Sequence, residues 1–298
     1  MNFVNQLLQG VLLGGFYALV ACGLSFLFGV MKIINLAHGS LIILAAFLVL
    51  GFVNATQLSP FLGLVLVLPV MALVGWGLQA AVLNRSLRGG ALIPILSTFG
   101  VAIILDNAMF EYYGANANSL GPFIGDLAYG SWNLTASLYI GQLDALIFAT
   151  AVVVLGGLQL MLARTPLGRT IRATASDPAI VELIGIDPKR VYAIAAAIAA
   201  ALVGLAGAYL GMRGSFDPYA GGPLLIFAFE TVVIGGVGSL WGTLIGGIVL
   251  GVSQNIGAAI SPHGFLIAGH FVFLTVLVAR TFRWPVPAWR LTRQKAAA

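Results

Sequence analysis

Four acids stand in or beside long apolar runs: Asp106, Glu111, Asp144 and Glu230. An ionisable group at membrane depth is costly and persists where it pairs, meets water or serves a solute path. Glu111 and Asp144 flank the polar connection 114–141 and read as interfacial, whereas Asp106 and Glu230 read as deeper. No Lys or Arg shares their apolar runs. Two roles therefore stand open for Glu230: a polar position on a path, or a hydrogen-bond partner for a neighbouring helix. The three histidines, His38, His263 and His270, have no metal-ligand spacing and no Cys or acidic cluster beside them, so no metal site is expected. No catalytic arrangement stands out, and no G-x-x-x-x-G-K-[ST] run is present to cradle ATP phosphates. The chain reads as a non-enzyme without cofactor, and any ATP-driven step would belong to another chain.

Two apolar stretches are broken, at 31–40 and at 235–240. Backbone freed from helical pairing at membrane depth is tolerated only inside protein or along a polar cavity. Asn35, His38, Gly39 and Ser40 on the first break, and Gly236, Gly238 and Ser239 on the second, are thus candidates for one central passage, together with Glu230. His38-Gly39-Ser40-Leu41 and Val237-Gly238-Ser239-Leu240 each open an apolar run. Gly-broken segments at matching places in two halves mark solute paths in transporters. The pattern raises a two-fold repeat with halves about 1–150 and 151–298, against chance recurrence in a chain with 38 glycines.

A third pattern lies in 164–191. Asp177 before Pro178 reads as a helix cap with proline in the first turn, and Gly185 reads as a stop. Between them Ala179, Ile180, Glu182 and Leu183 belong to a short, largely apolar helix, and Asp187-Pro188 starts the next element. Such a helix either packs on its own protein or fits a groove on a partner.

The elements that must position these residues are membrane spans. Hydrophobic residues make up 60% of the chain and charged residues 8%, against about 25% charged in soluble domains. A helical crossing needs about 20 apolar residues; spans are predicted near 7–29, 40–54, 61–83, 92–113, 142–163, 192–212, 240–257 and 265–280. The run 224–236 is short and reads as a tilted span or half-helix. The fold class is all-α: a polytopic transmembrane bundle of about eight or nine membrane segments with broken helices, forming one domain over 1–298.

Ten of the fourteen Lys and Arg fall in two places: Arg164, Arg169, Arg172, Lys189 and Arg190, and a tail with Arg280, Arg283, Arg290, Arg293 and Lys295. The net charge of +5 therefore reflects the positive-inside rule and not nucleic-acid binding. The rule places 164–191 and the C-terminus in the cytoplasm and the uncharged 114–141 outside; counting spans back puts Lys32 inside and the N-terminus outside. Gly10/Gly14, Gly207/Gly211, Gly242/Gly246 and Gly247/Gly251 are each four apart, a spacing for close helix packing. Cys22 has no partner for an internal disulfide.

Three segments carry a family resemblance: Gly29–Ser40, Thr165–Ala173 continuing into Gly185–Val191, and Phe229–Gly247. In that order they resemble the branched-chain amino acid permeases of bacterial ABC importers, in the shorter of two permease types, over nearly the whole chain. The resemblance implies an inner-membrane heterodimer with a second, related permease. It also implies two cytoplasmic ATPase subunits and a periplasmic binding protein delivering leucine, isoleucine or valine. On it, Asp177, Ala179, Ile180, Glu182, Leu183 and Gly185 belong to a coupling helix seated on an ATPase. Some relatives carry Lys two residues before the position of Phe229, where this chain has Phe227; similar permeases serve urea and short amides. An ion-coupled carrier or channel for a small polar solute is the alternative.

Overall fold

Prolines and small polar caps set the helix limits. Ser59, Thr165, Asp177 and Asp187 each accept a hydrogen bond from the first turn of the helix that follows, and each is followed directly by proline. This is the arrangement that satisfies an otherwise unpaired N-terminal donor. The computed structural model describes residues 3–90, 92–135 and 138–281; the basic positions Arg283, Arg290, Arg293 and Lys295 lie outside the described residues.

The helices are α1 (Phe3–Met31), α2 (His38–Thr56), α3 (Pro60–Leu78), α4 (Asn84–Ser86), α5 (Leu92–Tyr113), α6 (Asp126–Tyr129) and α7 (Gln142–Arg164). They continue as α8 (Pro166–Ser176), α9 (Pro178–Leu183), α10 (Pro188–Arg213), α11 (Gly221–Gly235), α12 (Leu240–Ile260) and α13 (Gly264–Thr281). A π-turn over Gln79–Leu83 carries α3 into α4, so that one span reaches Ser86. Among the described residues eight helices are long and apolar enough to cross a membrane, and α11 is the shorter apolar ninth. The protein is thus an all-α, multi-pass membrane bundle. Its only strands among the described residues are two short antiparallel pairs: β1 (Asn118–Ser119) with β4 (Ser215–Phe216), and β2 (Ser131–Thr135) with β3 (Leu138–Gly141).

Two helices form the centre. Of their most apolar stretches, α1 is 89% buried and α10 67%, whereas α13 is only 6% buried. α1 lies along α12, and α10 lies along α3; α11 meets α1, and α2 meets α10. The α1–α12 seam is made by glycines. Gly10 and Gly14 abut the backbone of Gly247, Ile248, Gly251 and Val252, and lower down Thr243 donates to Ser25 Oγ at 2.7 Å. The spacing read as ordinary close packing serves that purpose here. The N-terminal end of α1 touches β3, where Tyr139 N donates to Asn5 Oδ1. Its C-terminal end touches α8. The N-terminus therefore shares a face with 114–141, and Lys32 shares the opposite face with 164–187.

Candidate functional site

Two helices begin inside the bundle. After α1 ends, residues 32–37 run back along it without regular structure and α2 starts at His38. His38 Nε2 donates to the Val20 carbonyl at 2.7 Å. Val20 lies three residues from the midpoint of α1, so His38 sits about 5 Å from mid-depth of a helix about 43 Å long. Asn35 shapes this entry: its side chain accepts from Ala37 N at 3.0 Å and its carbonyl from His38 N at 3.2 Å. The Leu36 amide is held by Thr98 of α5. Gly39 then abuts Gly221, the first residue of α11. A Cβ at either would strike the other's backbone, so two helix N-termini meet at mid-depth and diverge toward opposite faces.

The second break is elsewhere. Gly236 ends α11 and Ser239 caps α12 by accepting from Gly242 N; Gly236 and Gly238 have φ of 101° and 80°, which a side chain strains against. Gly238 touches Gly29 near the end of α1. Asn35, His38, Gly39 and Ser40 thus lie at one end of α11 and Gly236, Gly238 and Ser239 at the other. The 15-residue helix holds the two groups about 22 Å apart. Glu230 lies on the helix between them.

Glu230 is only 2% exposed. Its Oε1 lies 2.5 Å from His270 Nδ1 on α13, and its Oε2 has no partner among the described residues. Beside it Phe227 stacks on His270 and meets Tyr17 at a tilt of 42°, and Tyr17 donates to Gln254 Oε1 of α12 at 2.5 Å. Sequence reasoning missed His270 as partner because the two residues meet only through helix packing. It also missed Arg213 as the partner of Asp144, at 2.8 Å. Asp106 faces Ser40, with a buried Oδ1 that no donor reaches among the described residues; Glu111 is exposed. No group of His, Cys, Asp or Glu suited to a metal occurs among the described residues.

A cavity of about 620 Å³ opens on the face of 114–141, between α1, α11 and α12. It runs from Asn5 to Tyr17 along α1, a depth of about 18 Å, and none of the sequence-selected path residues lines it. A smaller one of about 210 Å³ opens on the opposite face, with Gly238 and Arg172 in its wall.

At that opposite face, α9 matches its sequence reading closely. Asp177 accepts from Ala179 N and Ile180 N, and Gly185 follows with φ of 83°. Val181 is buried against the protein, while Ile180, Leu183 and Ile184 are 61%, 86% and 69% exposed. Glu182 is exposed beside them. The preceding α8 was not anticipated, although Thr165-Pro166 is the same start signal as Asp177-Pro178.

Comparison with known proteins decides the family. The family described as branched-chain amino acid transport system / permease component matches residues 6–280. The chain belongs to this family. Among curated relatives, the permease is 32% identical over 271 residues to the high-affinity branched-chain amino acid transport system permease protein BraD of Pseudomonas aeruginosa, covering 86% of this chain and 87% of that one. It is 30% identical over 275 residues to LivH of Escherichia coli, covering 87% of each. It is 28% identical over 288 residues to LivM of the same organism, covering 88% of this chain and 66% of that one. Both are named there as high-affinity branched-chain amino acid transport system permease proteins. No solved structure matches.

Proposed function

We propose that this permease is the membrane subunit of an inner-membrane ABC importer for branched-chain, hydrophobic amino acids, coupled through α9 to separate ATPase subunits. The exposed apolar row Ile180, Leu183 and Ile184 carries the proposal. Large apolar side chains on a capped helix at the basic face have no reason to meet water, and they suit a groove on a cytoplasmic partner. Asp177 and Gly185 fix the ends of that helix, with Ala179 and Glu182 at its surface. On this reading the face of 164–187 and the C-terminus are cytoplasmic. A second, related permease completes the passage, as the likeness to both LivH and LivM supports. A periplasmic binding protein supplies the solute at the face of 114–141.

We further assign Asn35, His38, Gly39 and Ser40 to the middle of the solute path, Glu230 to its lower wall, and Gly236, Gly238 and Ser239 to its inner end. Two halves with inverted topology support this assignment. α1 with α2 and α10 with α11 are each a full span, a non-helical return and a helix starting at mid-depth, 19 residues long in α2 and 15 in α11, and each full span packs on a helix of the other half. In this scheme His38–Ser40 corresponds to Ala220–Gly222 and not to the Val237–Leu240 stretch matched in the sequence, since Gly39 meets Gly221 while Gly238 meets Gly29, and α7 joins the halves. The capped, exposed α9 favours this reading over an ion-coupled carrier, which needs no partner-docking element.

The test replaces Leu183 or Ile180 with Asp. An unpaired charge in the docked contact costs several kcal/mol, so the assembled transporter should lose solute-stimulated ATP hydrolysis while the permease still inserts. Full coupling in an intact Leu183→Asp complex would refute the docking role.

A further inference from the structure

Among the described residues the 620 Å³ cavity has one charged side chain in its wall, Arg213. Arg213 ends α10, yet its guanidinium turns inward and lies 5.3 Å from the centroid of the Phe16 ring. It is held there from α7, since its Nε donates to Asp144 Oδ1 at 2.8 Å. That is its hydrogen bond among the described residues, and it leaves both terminal nitrogens for another acceptor. Asp144 is not part of the cavity wall, and no other acid lines it among the described residues. A guanidinium pinned by one edge, stacked on an aromatic ring and open along the other is a fork for a carboxylate.

The remaining wall divides by chemistry. Leu13, Phe16, Leu224 and Phe227 are apolar, and Gln6 and Asn255 offer neutral amides. The floor is shut by Phe227 and by Tyr17, bonded to Gln254. The volume lies within the range of small-molecule sites, and an apolar lining with a few placed polar groups is their usual make-up.

We infer that this cavity is a binding subsite for an aliphatic α-amino acid on its way from the binding protein to mid-depth. The carboxylate takes the free Nη edge of Arg213, the ammonium group takes the amide oxygens of Gln6 and Asn255, and the side chain lies on Leu13, Leu224 and Phe227. The inference rests on the importer reading above, but it is read by a different measurement. A lipid phosphate shares the anionic chemistry, and the experiment separates the two sources.

The assembled transporter is placed in nanodiscs of neutral phosphatidylcholine without binding protein, and radiolabelled leucine binding is measured by equilibrium dialysis. Wild type binds; Arg213→Gln binds at least tenfold more weakly, and Arg213→Lys falls between. Leucinamide, which lacks the carboxylate, competes poorly. Leu224→Trp, which fills the cavity and leaves Arg213 with Asp144, also loses binding, so loss cannot be ascribed to a broken ion pair alone. Wild-type affinity in either Arg213→Gln or Leu224→Trp, or equal competition by leucinamide, overturns the inference. So does full displacement of leucine by added phosphatidylglycerol, which assigns Arg213 to a headgroup. Uptake by the wild-type complex with its binding protein reads the importer assignment separately: uptake without measurable leucine binding sinks the subsite and leaves the importer intact.

Discussion

The α1–α12 seam sets a sharp test of how the core is held. A Cβ built on Gly14 would lie 2.7 Å from Ile248 N and closer still to Ile248 Cα. Carbon contacts settle at about 3.5–4.0 Å, and neither atom belongs to a side chain that can rotate away. Gly14→Ala therefore forces the two helices about 1 Å apart, and overpacking of this kind costs about 1–3 kcal/mol. Alanine regains about 0.5–1 kcal/mol in helix propensity, leaving a net loss of up to about 2.5 kcal/mol and a gap of about 1–3 kcal/mol from a glycine-to-alanine change that meets no clash. Gly157→Ala on α7 is the control, since nothing lies within 4 Å of its Cβ position; it should be neutral or slightly stabilising. Gly247→Ala strikes the carbonyl of Gly14 across the same seam. The double variant should then lose less than the sum of the singles, because one separation relieves both clashes. Equilibrium unfolding of the purified permease in mixed detergent and dodecyl sulfate reads all four variants. A Gly14→Ala protein as stable as Gly157→Ala would refute backbone contact as what holds this seam.

Other expectations follow from the polar contacts. Glu230→Gln keeps an acceptor for His270, so assembly should survive with near-normal uptake in vesicles, whereas Glu230→Leu strands His270 and should reduce recovery of intact complex; uptake lost in Glu230→Gln with assembly intact would show that the path wall needs the charge of Glu230 and not only its hydrogen bond. Asp177→Ala removes the acceptor for Ala179 N and Ile180 N and should cost α9 about 1 kcal/mol, seen as faster amide exchange at those two residues and unchanged exchange in α10. Gly39→Ala drives a methyl into the carbonyl of Gly221 and should depress uptake several-fold with membrane insertion intact; normal uptake would remove the mid-depth junction from the path.

The features legible in the sequence were those with local causes. Asp177-Pro178 and Gly185 delimit α9 because capping needs only the residues of one turn. The eight long spans were legible because a crossing is a matter of length and apolarity. The pairings Glu230–His270, Asp144–Arg213 and Tyr17–Gln254 were not, since each joins residues 40 or more apart in the chain, and nothing local marks them.

The break at 31–40 shows the same limit from the other side. Its irregularity and its place at membrane depth were read from the sequence, but the groups that receive it were not. Whether a chain leaving a helix enters water or turns back into the bundle depends on what receives its freed backbone groups. Here Thr98 takes the Leu36 amide and Asn35 takes those of Ala37 and His38. One of those acceptors lies 62 residues away, so the sequence around Leu36 alone cannot reveal it. The return also needs room at its tip, where Gly39 meets Gly221 across a distance of 182 residues in the chain. In the sequence the run 224–236 reads as a tilted span or half-helix. The structure starts it at Gly221, because the missing Cβ atoms admit the backbone of α2 and because residues 214–220 have already brought the chain down from the face where α10 ends. The length of α11 is thereby explained: a helix that begins at mid-depth needs only about half a crossing, and its 15 residues, about 22 Å, carry it from His38 to the opposite face.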